Sequence, residues 1–158
     1  MENVNLKKLK RLILYKNNIS NIEVLENVKF EKLEEINLSS NKISNINILK
    51  NANFKELKKL NFFSNNISNI EVLEKVKFEK LEELNLSSNK IDINILEKVN
   101  FKELKELSLY SNNISDIKVL EKVKFKKLAK LDLRWNKIKK NKFLSIINIF
   151  KYRFKFII

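Results

Sequence analysis

A single pattern of apolar and polar positions recurs six times along the chain. Its first copy reads Leu9-x-x-Leu12-x-Leu14-x-x-Asn17-x-Ile19. The later copies begin at Leu33, Leu57, Leu81, Leu104 and Leu128. The Leu-x-Leu core of each copy alternates apolar with polar residues, which predicts a strand that buries its leucines and exposes the residues between them. The segment after each copy spaces its apolar residues at three to four positions, which predicts a short helical turn.

The copies are 23 or 24 residues apart. A period of this length indicates a stack of equivalent units, because one unit cannot bury its apolar face alone. The extended form Leu38-x-x-Asn41-x-Ile43-x-x-Ile46 resembles the leucine-rich repeat family over about residues 6–144, and within it the phosphatase-regulator-like and internalin-like branches. The resemblance implies an α/β leucine-rich repeat solenoid, a curved horseshoe with parallel strands on the concave face and short helical turns on the convex face.

The chain is predicted to contain two segments. Residues 1–144 form the array of six repeats, and residues 145–158 form a basic, aromatic C-terminal segment that caps it. Within the array the units alternate in pairs. Residues 30–77 and 78–124 align almost throughout, apart from one deletion between Ile91 and Ile93. The array therefore grew by duplication of pairs.

Two columns of residues are predicted to be structural. The resemblance implies that one asparagine per unit satisfies backbone groups inside the turn: Asn17, Asn41, Asn65, Asn89, Asn112 and Asn136. The functional alternative, glycosylation at Asn18-Ile19-Ser20 or Asn66-Ile67-Ser68, requires secretion that nothing else in the sequence supports. The other column supplies a stacked apolar spine beneath the outer side: Leu6, Phe30, Phe54, Phe78, Phe101 and Phe125.

The exposed strand positions are the candidate binding surface. They form a small, polar face that carries aromatic residues, and aromatic side chains on a rigid surface dominate interface energies. The candidate residues are Tyr15, Glu35, Asn37, Lys59, Asn61, Phe63, Glu83, Asn85, Glu106, Tyr110, Asp132, Arg134 and Trp135. A competing interpretation is that pairwise duplication copied one aromatic residue into every second unit without any binding role.

The area of this face limits its partner. Six strands about 4.8 Å apart, with some five exposed residues each, give a patch of roughly 400 Å². One partner contributes about 800 Å² to a standard interface. A tightly bound protein must therefore also contact the loops or the basic end, unless the chain is part of a longer array.

Composition excludes several kinds of site. The chain has no cysteine, histidine or glycine, so disulfides, the usual zinc sites, imidazole or thiolate catalysis and glycine-rich phosphate loops cannot be built. We therefore expect no enzyme activity, cofactor, metal or small-molecule substrate. The first eight residues contain no apolar signal-peptide core, and we expect an intracellular, cytoplasmic location.

The basic charge is concentrated at one end. Residues 118–158 carry 14 of the 33 basic side chains and only Glu121 and Asp132 of the 19 acidic ones. Residues 150–156 alternate aromatic with basic side chains, which predicts a strand. This strand is interpreted as a cap over the last repeat, although its basic face could instead bind the phosphates of nucleic acid or an anionic membrane.

Three functions are left open by the sequence. The first is a non-enzymatic leucine-rich repeat module, a regulatory or scaffold subunit, that binds a protein on its concave face. The resemblance makes a protein phosphatase one candidate partner. The second is a binder of polyanions through the basic end. The third is a structural fragment of a longer repeat protein.

Overall fold

The computed structural model describes residues 6–139, 141–142 and 155–157. Its strands form one parallel sheet in chain order: β1 (Arg11–Ile13), β2 (Glu35–Asn37), β3 (Lys59–Asn61), β4 (Glu83–Asn85), β5 (Glu106–Ser108), β6 (Lys130–Asp132) and β7 (Lys155–Ile157). Equivalent residues of successive repeats stand side by side, so that Leu12 pairs with Ile36 and Ile36 with Leu60. The predicted repeat solenoid is confirmed, and the repeat period sets the register.

The helical turns on the other side of the sheet are 3-10 helices. They are η1 (Glu23–Asn27), η2 (Asn47–Lys50), η3 (Glu71–Glu74), η4 (Asn94–Lys98) and η5 (Lys118–Glu121). A polar side chain two residues earlier starts several of them: the Oδ1 atom of Asn69 accepts a hydrogen bond from the backbone N–H of Glu71 at 2.7 Å. The helices have only four or five residues, which favours the tighter 3-10 geometry over the α-helix.

Each of the six repeat strands is followed by a left-handed residue. The residues are Lys16, Ser40, Ser64, Ser88, Ser111 and Trp135, with φ between 52° and 57°. Glycine is favoured in this conformation because a Cβ atom is crowded there, but this chain contains none. These residues turn the chain out of the sheet.

The core confirms the predicted spine. Phe30, Phe54, Phe78, Phe101 and Phe125 are all buried. Their ring centroids form a continuous row, with neighbouring rings separated by 6.0, 6.4, 5.6 and 6.2 Å. These separations lie within the range of favourable aromatic contacts. The spine therefore joins successive repeats beneath the 3-10 helices.

The C-terminal segment is described only in part. β7 pairs in parallel with β6 and places Phe156 beside Leu131 in the backbone register. The sequence predicted a strand over residues 150–156, and most of that range lies outside the described residues. A capping role for residues 145–158 stays a prediction.

Candidate protein-binding face

The exposed side of β1–β6, together with the residue that follows each strand by two positions, is called here the strand face. The backbone ladder continues past each strand: Lys16 N–H donates to Ser39 C=O and Ser64 N–H donates to Ser87 C=O, both at 2.9 Å. The strand face therefore consists of three columns of side chains in register. The first is Arg11, Glu35, Lys59, Glu83, Glu106 and Lys130. The second is Ile13, Asn37, Asn61, Asn85, Ser108 and Asp132. The third is Tyr15, Ser39, Phe63, Ser87, Tyr110 and Arg134.

The first column consists of ion pairs between neighbouring strands. Arg11 pairs with Glu35 at 2.8 Å, Lys59 with Glu83 at 2.7 Å, and Lys130 with Glu106 at 2.9 Å. A hydrogen bond to Glu83 and the charge of that residue raise the pKa of Lys59. These ion pairs are exposed to solvent, which screens their attraction, and they therefore add little to the stability of the fold. They also offer no unpaired charge to a ligand.

The second column supports the turn that follows each strand. Asn61 Oδ1 accepts a hydrogen bond from Phe63 N–H at 2.8 Å, and the Oδ1 atom of Asn85 accepts one from Ser87 N–H at 3.0 Å. Asn37 makes the same bond to Ser39 N–H at 3.0 Å. Because each Oδ1 atom is held by the turn, the orientation of the amide is fixed. Among the described residues, no hydrogen bond involves the Nδ2 groups of these three asparagines, which leaves them as donors for a ligand.

Asp132 ends the second column and differs from the asparagines. It was predicted as an exposed binding residue, but only 6% of it is accessible to solvent. Arg134 donates to it from Nε at 3.0 Å and from an Nη atom at 2.7 Å. Burial acts to raise the pKa of Asp132, but hydrogen bonds from the Arg134 side chain and backbone outweigh it and lower the pKa. Its carboxylate is therefore occupied within the repeat.

The third column carries aromatic residues on every second strand. Tyr15 is 53% exposed and Phe63 is 38% exposed. Tyr110 is half-buried, and the guanidinium carbon of Arg134 lies 5.6 Å from the centroid of its ring. The intervening Ser39 and Ser87 are buried. The aromatic rings therefore rise above a floor of small side chains.

Trp135 stands beside this column, at the left-handed corner after β6. It is 78% exposed, more than any other large hydrophobic residue of the described chain. Its conformation, with φ of 57°, is unfavourable for a bulky residue. All six repeats have a left-handed residue at this position, so the fold explains the backbone conformation of Trp135. The fold does not explain why the side chain there is a tryptophan.

The asparagine column lies inside the solenoid, next to the corner residues. Asn65 Nδ2 donates to Leu38 C=O of the preceding repeat at 3.0 Å, and its Oδ1 accepts from Ile43 N–H at 2.9 Å. Asn41, Asn89, Asn112 and Asn136 make the equivalent bonds. Asn17 differs, because its described bonds reach only Leu14 and Tyr15 of its own repeat. Five asparagines thus connect adjacent repeats.

The first two columns of the strand face form a shallow groove of about 250 Å³. Its lining runs from Glu35 to Asp132 and includes the Leu and Ile residues between the two columns. No group of three or more acidic side chains among the described residues is placed to hold a metal ion. None of the helices in the described part of the chain is long and apolar enough to cross a membrane.

Comparison with known families identifies the repeat. A model of two leucine-rich repeats matches residues 55–98, and a model of a single leucine-rich repeat matches residues 32–52. The chain is built of leucine-rich repeats. A search of curated proteins gave no matching relative.

Solved leucine-rich repeat structures share the fold. An internalin (inlF) from Listeria monocytogenes str. 4b F2365 superposes with a TM-score of 0.58 at 21% identity, over 96% of this chain and 47% of its own. Internalin C2 (inlC2) from the same strain gives 0.60 at 20% identity, over 96% and 72%. The plant peptide hormone receptor RGFR1, in complex with RGF2, gives 0.60 at 22% identity, over 82% and 21%. The chain thus spans about half the length of inlF and about a fifth of RGFR1.

Proposed function

We propose that this leucine-rich repeat chain is a non-enzymatic interaction module that binds a protein partner through its strand face. The observation that carries the proposal is the exposure of Tyr15, Phe63 and Trp135, with Ile13, on or beside an otherwise polar surface. Exposed aromatic side chains bury large areas on binding and lose little conformational entropy. Leucine-rich repeats are typically an interaction fold, and one structural neighbour is itself a receptor solved with its peptide hormone.

The ion pairs favour the aromatic residues as the source of binding energy. Charged side chains of the first column are already paired with one another, so a partner gains little by replacing those pairs. The asparagines of the second column have fixed amides, which suits them to orient a partner. Aromatic contacts and amide hydrogen bonds then both contribute affinity, and the fixed amides also supply specificity.

Replacement of the aromatic residues by serine tests the proposal. Serine occupies the same column at Ser39 and Ser87, so Phe63→Ser and Tyr110→Ser introduce a residue that this turn already accepts. Loss of partner capture by the double variant, with unchanged circular dichroism, is the expected result. Val24, an exposed hydrophobic residue on η1, provides the matched control Val24→Ser. Equal capture by all three proteins contradicts the proposal.

A second function is favoured by the lysines near the C-terminal end. Lys122, Lys127 and Lys130 pair with glutamates of the preceding repeat. In contrast, Lys124, Lys126, Lys137 and Lys139 are exposed, and no ion pair involves them within the described residues. Such lysines could neutralise phosphates of nucleic acid or an anionic membrane.

Salt dependence distinguishes this second function. Binding to duplex DNA through four phosphates weakens with salt at a log–log slope of roughly −0.9 per contact. Replacing Lys124, Lys126, Lys137 and Lys139 with glutamine should remove most of that slope, whereas Phe63→Ser should not change it. An unchanged slope in the lysine variant contradicts this function. A protein phosphatase as partner, a scaffold or regulatory role and an intracellular location stay predictions from the sequence.

A further inference from the structure

We propose that the partner segment bound by the strand face is a polyproline II helix with an apolar residue at every third position. The segment lies across the strands, along the row of Tyr15, Phe63 and Tyr110. This inference rests on the proposed function and specifies the chemical class of the partner. Four properties of the face support it: the spacing of the aromatic residues, the row of amide donors, the balance of charge and the available area.

The spacing of the aromatic residues matches the polyproline II period. Tyr15, Phe63 and Tyr110 occupy the same column on β1, β3 and β5 and their following residues. Strands in a sheet are about 4.8 Å apart, so alternate strands place these residues about 9.6 Å apart. A polyproline II helix rises about 3.1 Å per residue with three residues per turn, which returns a side chain to the same face every 9.3 Å or so.

Other regular conformations match this row less well. In a β-strand the residue three positions along, about 9.9 Å away, points to the opposite face. An α-helix presents a residue on one face after seven positions, about 10.5 Å, and so departs by roughly 1.8 Å over two intervals. Polyproline II departs by only about 0.6 Å over the same two intervals.

The amide donors run parallel to the aromatic row. Asn37, Asn61 and Asn85 each hold their Oδ1 atom against the following turn, which directs the Nδ2 group away from it. A polyproline II backbone makes no internal hydrogen bonds, so its carbonyl groups remain available as acceptors. Aromatic grooves recognise such segments in this way: side chains of the segment contact the aromatic rings, and carbonyl groups of the segment accept hydrogen bonds from polar donors beside the rings.

Charge and area also favour a short, uncharged segment. The first column contains three basic and three acidic residues, so its charges sum to zero. In the other two columns the charges of Asp132 and Arg134 cancel each other. The face therefore has no net charge to attract a charged ligand. Its area of roughly 400 Å² is half of what a folded partner usually covers. A preformed polyproline II segment loses little entropy on binding and can be held by a small surface.

Selection from a random peptide library tests the proposal without assuming a sequence. Twelve-residue peptides are selected on the wild-type protein and counter-selected on the Phe63→Ser, Tyr110→Ser double variant. Enrichment of proline-rich peptides with apolar residues three positions apart is the expected result. Enrichment of peptides with another spacing overturns this inference and leaves the proposed function standing. Absence of enrichment also overturns the polyproline II inference. The proposed function is tested separately, by capture of a folded partner with the same double variant.

Calorimetry on a defined probe measures the same contacts. A peptide of Leu-Pro-Pro repeated four times should bind, and Phe63→Ser should weaken binding roughly tenfold or more. Asn61→Asp keeps the acceptor for the turn, as Asp132 does, but removes the donor, and should weaken binding by a similar factor. Val24→Ser should leave it unchanged. Equal binding of a Leu-Gly-Gly peptide, or no effect of Phe63→Ser, overturns the proposal.

Discussion

The asparagine column gives a stability prediction that depends on position in the array. Asn89 is buried and donates from Nδ2 to Phe62 C=O and Leu86 C=O, while its Oδ1 accepts from Ile67 N–H. In the variant Asn89→Ala, each carbonyl keeps a second donor: Asn65 Nδ2 donates to Phe62 C=O, and Asn112 Nδ2 donates to Leu86 C=O. The N–H of Ile67 loses the side chain that accepts from it.

The orphaned N–H sets the expected size of the effect. A buried donor without a partner costs about 1–3 kcal/mol, and the loss of the remaining bonds brings the total to about 2–4 kcal/mol. The hydrogen bonds of Asn17 to described residues all lie within its own exposed turn. The variant Asn17→Ala should therefore cost less than about 1 kcal/mol.

Urea unfolding followed by far-ultraviolet circular dichroism measures both variants. The midpoint should fall markedly for Asn89→Ala and only slightly for Asn17→Ala, with similar dependence on urea concentration in both. Equal losses would show that the hydrogen bonds between repeats are not what the asparagines contribute. Loss of cooperativity in Asn89→Ala alone would instead indicate that the array separates at that interface, as nearest-neighbour stacking allows.

Three further predictions concern the spine, the corners and the acid limb of stability. Phe78→Ala should cost about 3–5 kcal/mol in urea unfolding, because it leaves a cavity in the row of rings, and a loss below about 1 kcal/mol contradicts the packing. Ser88→Gly should stabilise by about 0.5–1 kcal/mol and Ser88→Val should destabilise, since φ is 52° there. The pKa of Asp132 in the folded protein lies below its ordinary value. Its contribution to the free energy of unfolding is therefore present above the unfolded pKa and is lost as pH falls below about 4, on the acid limb of the stability curve. Asp132→Asn should flatten that acid limb, and an unchanged limb would show that Arg134 does not hold the carboxylate.

The repeat period made most of the fold predictable. Leucines at fixed spacing determine which residues are buried, and the phenylalanine column follows the same period, so both could be read directly from the sequence. The register needed no further information, because equivalent residues of identical units must stand side by side. The short outer segments were predicted as helical turns, and their limited length makes them 3-10 helices.

The details of the strand face were not predictable in the same way. Nothing about Ser64 indicates a left-handed backbone, because that conformation is imposed by the chain leaving the sheet and serine has no preference for it. Asn17 and Asn65 stand at equivalent positions in the repeat but differ in their bonds, since only Asn65 has a repeat before it in the described structure. The ion pairs of the first column could have been predicted by comparing equivalent positions of neighbouring repeats, because Lys59 and Glu83, for example, carry opposite charges at the same position of adjacent repeats.

The central claim is that binding occurs on the strand face. An aromatic photo-crosslinking amino acid, which keeps a ring at the position of Phe63, is placed there and in a separate protein at Val24, and it reports which side of the solenoid a partner contacts. The account predicts crosslinks to the bound peptide or protein from position 63 and none from position 24. Crosslinks from position 24 alone would place the partner on the helical side and contradict the account.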